Sequence, residues 1–154
     1  MTRVRRAVSE KELQRAFSIR LRVFVREQGV PEEIELDEDD RKATHFLASI
    51  DGKPVGTARL VVTNQKAKIG RMAVLKTYRG RGVGKALLKR ALELARKRRA
   101  KLIYLNAQVP VVGFYEKMGF RCAGRVFMEA GILHRKMVFR QGESICFLAR
   151  KMNS

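Results

Sequence analysis

The stretch "YRGRGVGKALLKRAL", residues 78–92, sets Gly80, Gly82 and Gly84 two residues apart just ahead of a leucine-rich helical pattern. A glycine inside a regular element costs about 0.5–1 kcal/mol relative to alanine, so the cluster marks a turn that needs backbone freedom. A strand, a glycine-rich turn and a helix N-terminus together make an anion site. Backbone N–H groups point into the turn, and the helix dipole adds partial positive charge. The glycines let the backbone approach phosphate oxygens, and Arg79, Arg81 and Lys85 add charge around it. The competing reading is a turn whose glycines only allow a helix to pack tightly on a sheet. Two nucleotide loops fail on spacing. A Walker loop needs Ser or Thr after Gly-Lys and a glycine five residues before it, where this chain has Ala86 and Arg79. A dinucleotide fingerprint needs G-x-G-x-x-G, and the spacing here is G-x-G-x-G.

Working outward, the glycine turn lies between a run of strands and a helix over about residues 82–98. Leu87, Leu88, Ala91, Leu92 and Ala95 line one face of that helix, with Lys and Arg on the other. Upstream, "THFLASI", "DGK" and "PVGTARLVVT" read as strand, Asp-Gly turn and strand, and "KAKIGRMAVL" as the next strand. Residues 2–8 read as a first strand. "SEKELQRAFSIRLRVFVREQ" reads as one helix opened by a Ser9–Glu12 capping box, with Leu13, Phe17, Leu21 and Phe24 on its apolar face. "GVPEEIELDEDD" breaks it and gathers seven acidic residues. Downstream come a buried-type strand "KLIYLNA", a short helix "PVVGFYEKMG" with Gly119 as its C-terminal stop, and strands "FRCAGRVFME" and "ILHRKMVFR" about an Ala130-Gly131 turn. The tail "ESICFLARKMN" fits a strand or a short helix. The order β-α-β-β-β-α-β-α-β-β gives an α/β class with a mixed sheet flanked by helices.

The 154 residues match one domain, residues 1–154, with a full core. No apolar run reaches the roughly 18 residues of a membrane span, and "MTRVRRAVSEKEL" lacks the apolar block of a signal peptide. Cys122 and Cys146 show no metal-ligand spacing and no metal is expected. Two thiols in a domain this size point to a reducing, cytoplasmic setting. The formal charge of +19 attracts polyanions, so nucleic acid is admitted as a nonspecific partner; the cations are scattered and no nucleic-acid motif is present.

"VLKTYRGRGVGKALL" resembles the acyl-CoA loop of the GNAT superfamily of N-acetyltransferases, R/Q-x-x-G-x-G/A, with Arg79, Gly82 and Gly84 in the defining positions. "FYEKMGF", residues 114–120, resembles that superfamily's second signature. "VFVREQGVP", "GTARL", "GRMAVL", "LNAQ" and "EAGILHRKM" are similar to its small bacterial members of the ElaA and YjcF types. The resemblance covers nearly the whole chain. It implies a single-domain GNAT-like fold, and acetyl transfer from acetyl-CoA to a small-molecule or peptide amine by direct attack in a ternary complex. It implies that the backbone of Met72, Ala73 and Val74 binds the pantetheine arm and that Arg79, Gly80, Arg81, Gly82, Val83, Gly84 and Lys85 hold the pyrophosphate. Phe114 and Gln108 complete the donor side, Gln108 standing where many members carry asparagine. Tyr115 falls on the tyrosine that protonates the departing thiolate. A phenol suits this role, because a pKa near 10 keeps its proton at neutral pH. The competing reading is a tyrosine packed at a helix–strand junction.

An amine with a pKa of about 10.4 is neutral only about once in 2500 molecules at pH 7, so something must take its proton. Several superfamily members carry a glutamate on the strand before the loop, and "KAKIGRMAVL" has no carboxylate. The candidates are Glu27, His45, His134 and the acidic run, each with a plain structural alternative: an ion-paired carboxylate, or a histidine bonded to backbone. Phe24, Arg59, Arg71 and His134 are expected on the acceptor side. An inward Arg59 or Arg71 needs an anion, supplied by the acidic run or by the acceptor. Arg20, Phe24, Glu35, Asp37, Asp40 and Arg59 also have an order similar to acyl-homoserine-lactone synthases, which share the fold and draw on acyl carrier protein. A non-catalytic acyl-CoA binder or RNA-associated protein is the third class. A monomer or a homodimer is expected.

Overall fold

The computed structural model describes residues 1–140; Cys146 and the expected element in the tail lie outside the described residues. The chain divides into two compact units. The first is Met1–Val61 with Ile69–Ala91, and the second is Val62–Lys68 with the chain from Leu92.

In the first unit, β1 (Thr2–Ala7) leads to α1 (Glu10–Arg20). The Glu12 amide donates to Ser9 Oγ and the Ser9 amide to Glu12 Oε1, each at 3.1 Å, so the expected capping box starts the helix. The single helix expected over 9–28 changes character at its middle. Leu21–Glu27 is a π-helical segment, in which the Gln28 amide reaches back five residues to the Val23 carbonyl at 3.1 Å. A π turn holds more residues than an α turn and breaks the 3.6-residue register. The change falls where Arg20, wholly buried at the end of α1, turns to its carboxylates.

The expected break at residues 29–40 contains one turn of helix, α2 (Glu32–Glu35), and a 3-10 turn (Glu38–Arg41) capped by Asp37. β2 (Thr44–Ile50) and β3 (Lys53–Thr63) pair antiparallel around Asp51 and Gly52. Both turn residues have positive φ, 50° and 80°, which a two-residue hairpin turn requires. β4 (Lys66–Val74), a 3-10 turn (Lys76–Tyr78) and α3 (Val83–Lys97) follow, with strand order β1-β2-β3-β4. α3 lies closest to β3 at Gly56, where a Cβ would stand 2.8 Å from Val83 Cγ1 and 3.1 Å from Leu87 Cδ1. This contact seats the helix whose N-terminus follows the glycine loop. Ala7, Ala16, Ile19, Val23, Leu47, Ala73 and Leu75 form a core cluster, with Leu13, Phe24 and Tyr78 packed on it.

In the second unit, β5 (Leu102–Gln108) buries alternate residues Ile103, Leu105 and Ala107. A 3-10 turn (Val109–Val111) leads into α4 (Val112–Lys117). Gly119, at φ 98°, stops α4 as expected. β8 (Ile132–Phe139) pairs with β5 on one side and with β6 (Phe120–Cys122) and β7 (Phe127–Glu129) on the other. The single strand expected in "FRCAGRVFME" is therefore two. Cys122 faces Met137 and Phe127 faces His134, so five steps on one side meet three on β8. Gly124, at φ 91°, takes up the excess, and Arg135 Nη2 ties its carbonyl down at 2.7 Å. Eight strands stand where seven were expected, within the α/β class with a mixed sheet flanked by helices.

Candidate functional site

The glycine turn has the conformation its composition implies. Gly80 and Gly82 have φ of 77° and 80°, the left-handed region where a side chain is strained, and no atom lies within 4 Å of a Cβ built on either. The first helical bond runs from the Ala86 amide to the Gly82 carbonyl at 3.0 Å. The amides of Val83, Gly84 and Lys85 therefore belong to the first turn of α3, which has no partners within its own helix. Open space above the glycines, with amides at the head of a 15-residue helix, fits a phosphate.

Arg79 stands apart from this cradle. Its amide donates to the Lys76 carbonyl at 3.3 Å. Its Nε donates to the Val74 carbonyl at 2.9 Å, and its two Nη atoms grip Glu27 at 2.7 and 2.9 Å. Arg79 thus ties the end of β4 to the end of the π-helical segment. Glu27, which sequence offers as a base, is held below the usual carboxylate range by the hydrogen bonds from Arg79. A carboxylate so held is a weak proton acceptor.

The acidic run faces three arginines. Arg20 Nε donates to Glu35 Oε1 at 2.8 Å and Arg20 Nη1 to Asp40 Oδ1 at 2.7 Å. Arg59 Nη1 donates to Asp37 Oδ1 at 2.7 Å and to Asp40 Oδ1 at 2.9 Å. Arg71 reaches the Glu35 carbonyl and Asp37 Oδ2, each at 3.1 Å. Three guanidiniums and three carboxylates balance, with Arg20 and Glu35 0% and 1% exposed. Burial alone would raise the Asp40 carboxyl, and the Arg20 hydrogen bond and charge, the Asp37 amide and Arg59 overcome this and pull it down to about 2. Asp37 is lowered as well, chiefly by its bond from Arg59. Arg71 has φ 49° within β4, a conformation that costs a non-glycine residue about 1–3 kcal/mol. Its side-chain bonds to residues 35 and 37 hold that backbone in place. Of the two sequence alternatives for Arg59 and Arg71, pairing with the acidic run is what the geometry displays.

His45, the second base candidate, lies opposite Arg59 across β2 and β3 and is 4% exposed. A carbonyl only accepts, so the ring Nε2 donates to the Asp40 carbonyl at 3.0 Å. Nδ1 is buried without a partner, beside the Phe17 ring. Burial holds the ring pKa below its ordinary value. Phe24 packs on the core cluster.

The second unit assembles the remaining candidates. Phe114, Tyr115, Phe120 and Phe139 form a chain of ring contacts at 5.0, 6.0 and 5.2 Å. Burial pushes the Tyr115 phenol up to about 12. Gln108 and His134 face each other across β5 and β8. His134 donates through Nδ1 to the Ile132 carbonyl at 2.7 Å, stacks on Phe127, and turns Nε2 toward Glu129 at 3.6 Å.

Sequence reasoning missed the Arg79–Glu27 clamp and gave Arg20 no role beyond a resemblance. A signal for Arg20 existed: it falls three residues after Phe17 and seven after Leu13, on the apolar face of α1. Among the described residues no three His, Cys, Asp or Glu side chains are placed to hold a metal ion, and no helix is long and apolar enough to cross a membrane.

The pattern of the acetyltransferase (GNAT) family matches residues 11–120. The uncharacterized N-acetyltransferase YjcF of Bacillus subtilis is 38% identical over 86% of this chain and 95% of its own length. The crystal structure of Escherichia coli ElaA superposes with a TM-score of 0.81 at 28% identity, covering 91% of this chain and 100% of that one. An acyl-CoA N-acyltransferase from Pseudomonas aeruginosa superposes with a TM-score of 0.79 at 29% identity, covering 91% and 99%.

Proposed function

This chain belongs to the acetyltransferase (GNAT) family, and on that premise we propose that it transfers an acetyl group from acetyl-CoA to an amine by direct attack in a ternary complex. The observation that carries the reading is the cradle at Gly80–Lys85, open above two left-handed glycines and set on the head of α3. In this reading the amides of residues 80–85 hold the diphosphate, the backbone of Met72, Ala73 and Val74 takes the pantetheine arm, and Gln108 and Phe114 complete the donor side. Arg79 is a brace that sets the loop, because its guanidinium is filled by Glu27 and Val74. The amine nitrogen forms a bond to the acetyl carbon, the carbon–sulfur bond breaks, and Tyr115 gives its proton to the thiolate. Its raised pKa keeps that proton available throughout the neutral range. Glu27 is tied to Arg79 and the His45 Nδ1 lone pair is walled in, so the proton of the amine leaves through water. Phe24, Arg59, Arg71 and His134 remain the proposed acceptor side, Arg59 and Arg71 acting by holding loop 31–41 through their ion pairs. The same reading takes residues 1–154 as one catalytic domain working in the cytoplasm.

A second reading has one observation in its favour. Arg20, Glu35, Asp37, Asp40 and Arg59, whose order is similar to acyl-homoserine-lactone synthases, do meet in one ion-pair network. The deciding experiment is a screen of polyamine, amino-sugar and peptide amines with acetyl-CoA, read by release of free CoA. Turnover with any amine supports the first reading. Turnover only with acyl carrier protein supports the second, and acetyl-CoA binding without turnover on any amine refutes the assigned activity.

A further inference from the structure

Two cations converge on one ring beside the glycine loop. Tyr78 closes the 3-10 turn before the loop and packs on the core cluster of the first unit. Lys53 Nζ, from the start of β3, lies 5.6 Å from the centre of its ring, and Arg81 Cζ, from the loop itself, lies 5.4 Å from it. Both side chains are exposed, and among the described residues neither makes an ion pair. The acids that sequence places nearest are engaged: Asp51 meets the N-terminal amine and Glu27 is gripped by Arg79. The face of the ring attracts each cation, but it leaves their charge unneutralised. Arg81 is also flanked by Gly80 and Gly82, with open space on either side. An anion arriving over this loop thus meets two cations whose positions are already set by the ring.

We propose that Lys53 and Arg81, set around Tyr78, receive the ribose 3′-phosphate of CoA and make the free CoA thioester the preferred donor. The assignment rests on the reading of the loop as a CoA site. CoA carries two separate anionic groups. The diphosphate is matched by backbone amides at the head of α3, which suit oxygens shared along a chain. The 3′-phosphate is a compact dianion one ribose away, which suits a pair of side-chain cations reaching in from outside the cradle. Arg79, the cation nearest in sequence, is filled by its own partners and cannot serve. A phosphopantetheine arm on a carrier protein has no adenosine and no 3′-phosphate, so the pair gains nothing from it. The pair therefore bears on donor class.

The test is a cycle of two proteins and two ligands. Calorimetry measures the affinity of the full chain, and of the Lys53→Gln/Arg81→Gln double variant, for CoA and for 3′-dephospho-CoA. The wild type is expected to favour CoA by about tenfold or more, the scale of a charge-assisted hydrogen bond. The double variant loses that preference, its CoA affinity falling by about tenfold while its dephospho-CoA affinity stays within about twofold of wild type. Lys53→Arg keeps the preference, which a loss of folding would not predict. An equal loss for both ligands overturns the assignment, because the cations would then act on the diphosphate or through the general field. A wild type that binds both ligands equally well also overturns it, while leaving the CoA site standing. A wild type that binds neither overturns the CoA site and this inference together.

Discussion

Asp40→Asn removes one negative charge from the buried network and leaves Arg20 and Arg59 with one carboxylate too few. Asp40 accepts from Arg20 at 2.7 and 3.2 Å, from Arg59 at 2.9 Å and from the Asp37 amide at 3.0 Å. Its carboxyl is pulled down from 3.8 to about 2. At about 1.4 kcal/mol per pKa unit, the charged form stabilises the fold by about 2 kcal/mol at neutral pH. Breaking a buried pair by removing one partner costs about 3–5 kcal/mol, so a loss of about 2–4 kcal/mol is expected at pH 7. The pH dependence has a definite sign. A carboxyl whose folded pKa is depressed lends stability above its unfolded value, near 3.8, and loses it as pH falls toward about 2. At the bottom of that window wild-type Asp40 is itself protonated and nearly equivalent to asparagine. Urea unfolding of both proteins at pH 7 and at points down to pH ~2.5 measures the difference. A gap that narrows as pH falls supports the network. A difference under about 0.5 kcal/mol at pH 7, or one that does not change with pH, refutes the argument.

Gly56→Ala drives a methyl group to 2.8 Å from Val83 Cγ1 at the first turn of α3, and is expected to cost about 1–3 kcal/mol and lower the melting temperature by several degrees; an unchanged thermal transition refutes the close packing. Tyr115→Phe keeps the ring contacts with Phe114 and Phe120 and removes the proposed acid, so kcat should fall by about 10²-fold or more with donor affinity unchanged. Because burial raises the phenol to about 12, the wild-type rate should show no loss from Tyr115 ionisation until pH rises toward that value; an alkaline limb near pH 10 that vanishes in the variant contradicts it.

Most of what was legible in the sequence is local. The Ser9–Glu12 box, the Asp51-Gly52 turn, the stop at Gly119, the apolar stripe of α3 and the glycine turn at 80–84 each depend on residues within a few positions of one another. Propensity, capping and backbone freedom act over that range, so spacing alone determines them. The same locality let "RGRGVG" and "FYEKMGF" carry the family resemblance.

Tertiary structure decided the rest. Arg79 meets Glu27 from 52 positions away, Arg71 meets Asp37 from 34, and Arg20 meets Asp40 from 20. No periodicity encodes those pairings, since each forms only when separate elements bring charge to a desolvated place where an unpaired group is costly. That requirement turned Arg79 from a ligand candidate into a brace and placed Glu27 in its grip. It also drew the acidic run onto the three arginines, and Arg71 held by that run keeps a strained backbone within β4. In "FRCAGRVFME" the residues favour strand throughout, but five steps had to match three on β8, and the strand broke at Gly124. The sequence by itself determined where a phosphate-sized anion is welcomed, because a glycine turn on a helix carries that chemistry within six residues. Only the fold decided which cations remain free to meet it, because that depends on which ones distant carboxylates have already neutralised.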